Sequence, residues 1–153
     1  MRPHLIAVSI VIMAILTADA ARTCPFELPI TTATVKGREL TVELAATPQT
    51  RSCGLSRRSR LPENRAMLFV YPKPQKLSFW MKETLVPLSI AFIDDAGRIT
   101  AILKMDLMPA TRLYSSPGKA RYALEVNQGW FEENGVRVGD VVEFNLPVML
   151  NIQ

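Results

Sequence analysis

Trp80 and Lys82 stand two residues apart inside the stretch FWMKETLVPLSIAFID, residues 79–94. On an extended chain that spacing points both side chains to one face. If the face lines a cleft, an aromatic plane sits beside a cation. Such a pair suits a sugar ring, a peptide terminus or an anionic head group. The competing reading makes Trp80 part of the core, with Lys82 reaching past it to water. Thr84 and Arg51 are candidates for the same cleft. Glu125 is a fifth, because it interrupts an apolar strand pattern, RYALEV at 121–126. A buried carboxylate there needs a partner such as Arg51 or Lys82. Alternatively, Glu125 faces outward or accepts from backbone amides. Glu125 with Asp140 or Lys82 could support general acid–base chemistry, although Asp140 follows Gly139 as a turn residue would.

One absence limits the chemistry. The chain has a single histidine, His4, and it lies in the N-terminal leader described below. Without imidazole there is no Ser–His or Cys–His nucleophile. The commonest transition-metal ligand is missing as well. No catalytic motif is present, so no metal or cofactor is expected. Ser115 and Ser116 would need Lys119 as a base, and a Ser-Pro-Gly turn explains them more simply. Asp94, Asp95 and Asp106 fit no calcium loop and read as turn residues. Arg51, Arg57, Arg58, Arg60 and Arg65 form a basic cluster. It could attract lipid head groups, envelope polymers or an acidic protein, or be a solvated loop.

The leader sets the compartment. Arg2 and His4 precede an apolar run from Leu5 to Leu16, and Ala18-Asp19-Ala20 follows with small residues at the signal-peptidase positions. This predicts a cleaved signal peptide over 1–20, with a retained anchor as the alternative. A lipoprotein signal is disfavoured, since Arg22 and Thr23 precede Cys24. The remaining chain of about 133 residues suits one domain, divided as an N-terminal segment 21–38 and a single domain 39–153. It carries no later membrane-spanning stretch. It is expected to be soluble and exported, periplasmic or secreted, with an envelope ligand or protein as partner and no nucleic acid. The overall charge of +4 is moderate and selects no partner. Cys24 and Cys53 are the two cysteines. In an oxidising compartment a disulfide is the leading reading, and it would stabilise by roughly 3–4 kcal/mol. Two free thiols or a bond to another chain remain as alternatives.

The positioning elements follow from pattern. ELTVELA at 39–45 alternates as a half-buried strand does. Thr47 and Pro48 open a short helix to about Leu55. Strands are expected over 66–71, 76–81, 88–93, 98–105, 121–126 and 141–146, with a turn at Pro72 and Pro74. Asp94 to Gly97 signals a hairpin. Residues 106–119 read as irregular. A second short helix spans 130–134, stopped by Gly135. The fold class is mainly β (or α+β): a compact, partly closed antiparallel β-barrel-like domain with two short helices.

Several segments together resemble one family, the domain of unknown function 192 (DUF192). They are R-S-C-G-L at 51–55, M-L-F at 67–69, F-W-M-K-E-T at 79–84 and P-L-S-I-A-F-I-D at 87–94. A-L-E-V at 123–126 and G-W-F through G-V-R-V-G-D at 129–140 continue the match. The resemblance covers about residues 40–145. It implies a compact β-rich fold and supplies no catalytic residue. Two positions depart from the family pattern. Ser56 stands where relatives usually carry Met, and Ser89 where they usually carry Asp. If that acid has a chemical role in relatives, this chain has lost it or moved it to Asp94.

Overall fold

The computed structural model describes Cys24 and residues 27–153. The expected signal peptide lies outside the described residues. One seven-stranded sheet organises the chain: β1 (Ile30–Val35), β2 (Arg38–Ala45), β3 (Arg65–Phe79), β4 (Leu88–Ile93), β5 (Ile99–Met105), β6 (Tyr114–Asn127) and β7 (Val142–Phe144). Helix α1 (Pro48–Cys53) connects β2 to β3, and α2 (Trp130–Glu133) connects β6 to β7. The strand order is β5-β4-β6-β3-β2-β1-β7.

The sheet curls until its two edges meet at one end. Arg98 and Val141 form an antiparallel bridge there. Ile99 N–H donates to Asp140 O at 2.9 Å, Gly139 N–H to Ile99 O at 2.8 Å and Val142 N–H to Gly97 O at 2.9 Å. The expected partly closed barrel is the result. All strand pairs are antiparallel except β2 with β3. That pair is parallel because α1 and the loop after it carry the chain back to the end of the sheet where β2 began, as parallel neighbours require.

The central strands are buried on both faces. Along β3, Ala66, Leu68 and Val70 enter one apolar cluster, while Met67 and Phe69 enter the other. On β6, Tyr122, Leu124 and Val126 alternate with Ala123 in the same way. Glu125 therefore points to the Met67–Phe69 face, opposite Met67 on β3 and Ile90 on β4.

Three elements differ from the sequence reading. β3 is one 15-residue strand, not two strands around a turn. Its register with β6 shifts between Val70 and Gln75. Pro72 and Pro74 fall in that gap, where no ladder N–H is required. β6 likewise begins at Tyr114, so Ser115 to Gly118 lie inside a strand rather than a loop. Ser116 explains why: its hydroxyl accepts from Leu77 N–H at 2.9 Å and donates to Gly118 O at 2.6 Å. Finally, ITTATV at 30–35 forms β1, which lies between β2 and β7.

Candidate functional site

Helix α1 forms one wall of a cleft. Thr47 caps it in a reciprocal box with Thr50, and Pro48 opens it. It ends at Gly54, whose φ of +49° and ψ of −138° suit a residue without Cβ. A Cβ there would sit 3.4 Å from the Phe69 ring, in ordinary contact, so the positive φ rather than space favours glycine. Arg51 fastens the helix to the sheet. Its Nη1 donates to Ala46 O at 2.7 Å and Val70 O at 2.9 Å, and its Nη2 donates to Gln153 O at 2.7 Å. The guanidinium stacks 4.4 Å from the Tyr71 ring centroid. Cys24 and Cys53 lie with Cα atoms 5.5 Å apart, the separation a disulfide needs.

The loop after β3 forms the opposite wall. Trp80 and Lys82 lie just beyond the strand end at Phe79. Trp80 is 52% exposed and is not a core residue. Lys82 Nζ stands 5.6 Å from its ring centroid. Glu83, with φ of +57°, turns the chain away. Its carboxylate accepts from Arg57 Nη2 at 3.1 Å, and Arg57 N–H donates to Glu83 O at 2.8 Å. Those bonds tie the two walls together. The Arg57 hydrogen bond holds the Glu83 carboxyl below its usual range.

Between the walls lies a cleft of about 270 Å³. Trp80, Lys82, Thr84, Arg51 and Glu125, the five side chains expected from sequence, all line it. Ser52, Cys53, Gly54 and Leu55 at the end of α1, with Phe69, Tyr71, Ser78 and Phe79, complete the lining and are not among the residues expected there from sequence. Tyr71 closes the apolar run AMLFVY, and its polar end was the available signal. Phe69 and Phe79 pack edge to face at 4.8 Å between centroids.

Glu125 is the distinctive member. It is 4% exposed. Among the described residues its carboxyl has no hydrogen-bond or ion-pair partner, yet it is not sealed from the cleft. It neither faces outward nor accepts from backbone amides. Burial pushes its pKa to about 8, so at neutral pH the group is largely a neutral acid, able to donate and accept. Nearby Tyr71 is raised chiefly by burial.

Other sequence candidates lie elsewhere. Asp140 does not line the cleft; it accepts from Arg137 N–H at 2.7 Å in the turn before β7. A Glu125–Asp140 acid–base pair is therefore not formed. Ser89 is buried and accepts from Gly129 N–H at 3.1 Å, outside the cleft. Ser89 thus makes a structural contact at the entry to α2. Asp94 accepts from Ala96 and Arg98 N–H, both at 2.9 Å, as a turn residue. In the basic cluster, Arg58 forms a bidentate pair with Glu43 at 2.7 Å. A shallower depression of about 650 Å³ lies at the barrel seam. Its Asp95 is paired with Arg121, so it presents no comparable buried acid. No group of side chains able to hold a metal occurs among the described residues.

The family model DUF192, described as "Uncharacterized ACR", matches residues 31–144. Two solved structures resemble the chain at 30% identity. One, a "putative transcription regulator" from Sinorhizobium meliloti, has a TM-score of 0.74 over 78% of this chain and 97% of its own. The other, a protein of unknown function from Novosphingobium aromaticivorans, has a TM-score of 0.71 over 76% of this chain and 86% of its own. No curated protein matches the chain.

Proposed function

The chain belongs to the DUF192 family, and we propose that this member is an exported, non-catalytic binding domain of the cell envelope. Its ligand enters the cleft between α1 and the loop after β3. The observation that carries this reading is the exposed Trp80–Lys82 pair at the mouth of a cleft floored by Glu125. An exposed aromatic beside a cation gives a ligand both contact area and charge. Export rests on the leader pattern of residues 1–20. The facing Cys24 and Cys53 suit an oxidising compartment, where they would form a disulfide.

A thermal-shift screen of the purified protein against envelope glycans, lipids and peptides tests the proposal. At least one class raises the melting temperature, and Trp80→Ala weakens that binding about tenfold, as loss of an aromatic anchor does. If Trp80→Ala leaves every detected affinity intact, the cleft is not the binding site.

The raised Glu125 pKa favours one second reading, a histidine-free hydrolase or lyase with Glu125 as acid and Lys82 in the same cleft. Turnover lost in Glu125→Gln, with ligand still bound, would establish it. An envelope assembly or chaperone-like role would instead use exposed apolar residues such as Met108, Leu113, Val148 and Met149.

A further inference from the structure

We infer that the cleft takes an acidic monosaccharide unit, with the sugar ring on Trp80, its carboxylate at Lys82 and a hydroxyl at Glu125. The inference rests on the binding role proposed above and names the ligand class.

Charge is the first argument. Glu83 is turned toward Arg57, and no described carboxylate lies within ion-pair distance of Lys82. Arg51 adds a second cation to the wall, although three carbonyls already occupy much of it. The mouth therefore lacks an anion. A cationic ligand seeking Glu125 would have to pass both of these groups.

The floor is the second argument. Leu55, Phe69 and Phe79 are apolar members of the lining, to which Tyr71 and Ser78 add hydroxyls. A buried carboxyl without a hydrogen-bond partner is costly. A hydroxyl can both donate to it and accept from it. A fatty or aromatic acid would satisfy Lys82 and leave Glu125 bare.

Size and shape supply the third. A volume of about 270 Å³ falls just below the usual range of small-molecule sites, roughly 300–1,000 Å³. That suits a single ring better than a lipid tail or a folded peptide. The C–H face of a pyranose is apolar and packs on an indole plane, leaving its hydroxyls at the edges.

Glu125 also sets a pH dependence. Held neutral by burial, it adds no negative charge against the ligand's carboxylate. The other titratable or charged groups lining the cleft are Tyr71 on β3, Arg51 on α1 and Lys82 on the loop; β4 contributes Ile90 beside Glu125. Ionisation of Glu125 above pH 8 would repel the bound anion.

The test is calorimetric titration of the purified protein with methyl glucuronide and methyl galacturonide, against methyl glucoside and benzoate. At least one uronide binds, and the glucoside and benzoate bind about tenfold more weakly or not at all. Lys82→Met removes the preference for uronide over glucoside. Glu125→Gln keeps affinity within about threefold, whereas Glu125→Leu loses about tenfold. Wild-type affinity falls between pH 6.5 and 9, and this fall is absent in Glu125→Gln. If neither uronide binds while another probe binds in a Trp80-dependent way, the ligand class is wrong and the binding role stands. If the uronides bind equally well to Trp80→Ala, the site is wrong, and the binding role given to this cleft fails with it.

Discussion

Glu125 is held by the sheet in a place its own chemistry opposes. Its neighbours on β3 and β4 are Met67 and Ile90, and burial alone raises its pKa from 4.5 to about 8. The sign of the resulting linkage follows directly. Below pH 4.5 the carboxyl is protonated in folded and unfolded chains alike. Between 4.5 and 8 the unfolded chain releases the proton and the folded chain retains it, so stability falls as pH rises. Above 8 the loss is complete. At about 1.4 kcal/mol per pKa unit, it amounts to about 5 kcal/mol. Glu125→Gln should therefore unfold at higher urea than wild type at pH 8.5, with the difference vanishing near pH 4. Comparing the two proteins isolates Glu125 from groups of opposite sign, such as Glu83. An equal midpoint at both pH values would mean that Glu125 is not buried as an acid.

At the scale of elements, α1 is too short to stand alone. It has six residues and buries none of them, and isolated helices of that length are unstable in water. Its capping box and the Arg51 bonds hold it as a wall. Arg51→Ala leaves the carbonyls of Ala46, Val70 and Gln153 without that donor and should cost about 2–3 kcal/mol. Arg51→Lys should restore little, because one ammonium cannot reproduce a planar fork stacked on Tyr71. Chemical denaturation of the two variants checks this, and full recovery by lysine would deny the guanidinium its clamping role. The helix was legible because Thr47 and Pro48 are local signals. The joined form of β3 was not, because prolines read locally as breaks. Only pairing with β6 shows that Pro72 and Pro74 fall in a register gap. The site was legible for a related reason. Trp80 and Lys82 were placed together by strand alternation, yet they meet beyond the strand end, where Glu83 turns the loop. Tyr71 and the phenylalanines escaped because an apolar run does not reveal which of its members reach a cleft.

The whole molecule depends on how its open sheet closes. β5 and β7 are the two edges, and an unpaired edge invites association with other chains. The bridge at Arg98 and Val141 covers one end of both. Gly97 makes that approach possible. Its φ is +81°, and a Cβ would lie 3.0 Å from Val142 O, the atom next to the seam bond between Val142 N–H and Gly97 O. Gly97→Ala should therefore cost about 1–3 kcal/mol through backbone strain and a displaced seam. Gly118→Ala is the matched control, since a Cβ there meets nothing within 4 Å and the φ is not positive. It should be near neutral. Hydrogen exchange would locate the damage. In Gly97→Ala the amides of Ile99, Gly139 and Val142 should exchange faster, while those of β3 and β6 at the sheet centre keep their protection. The α1 cleft is built on those central strands, so ligand binding should survive Gly97→Ala even as the seam loosens. A Gly97→Ala protein no less stable than Gly118→Ala, with unchanged seam exchange, would show that the barrel does not close there.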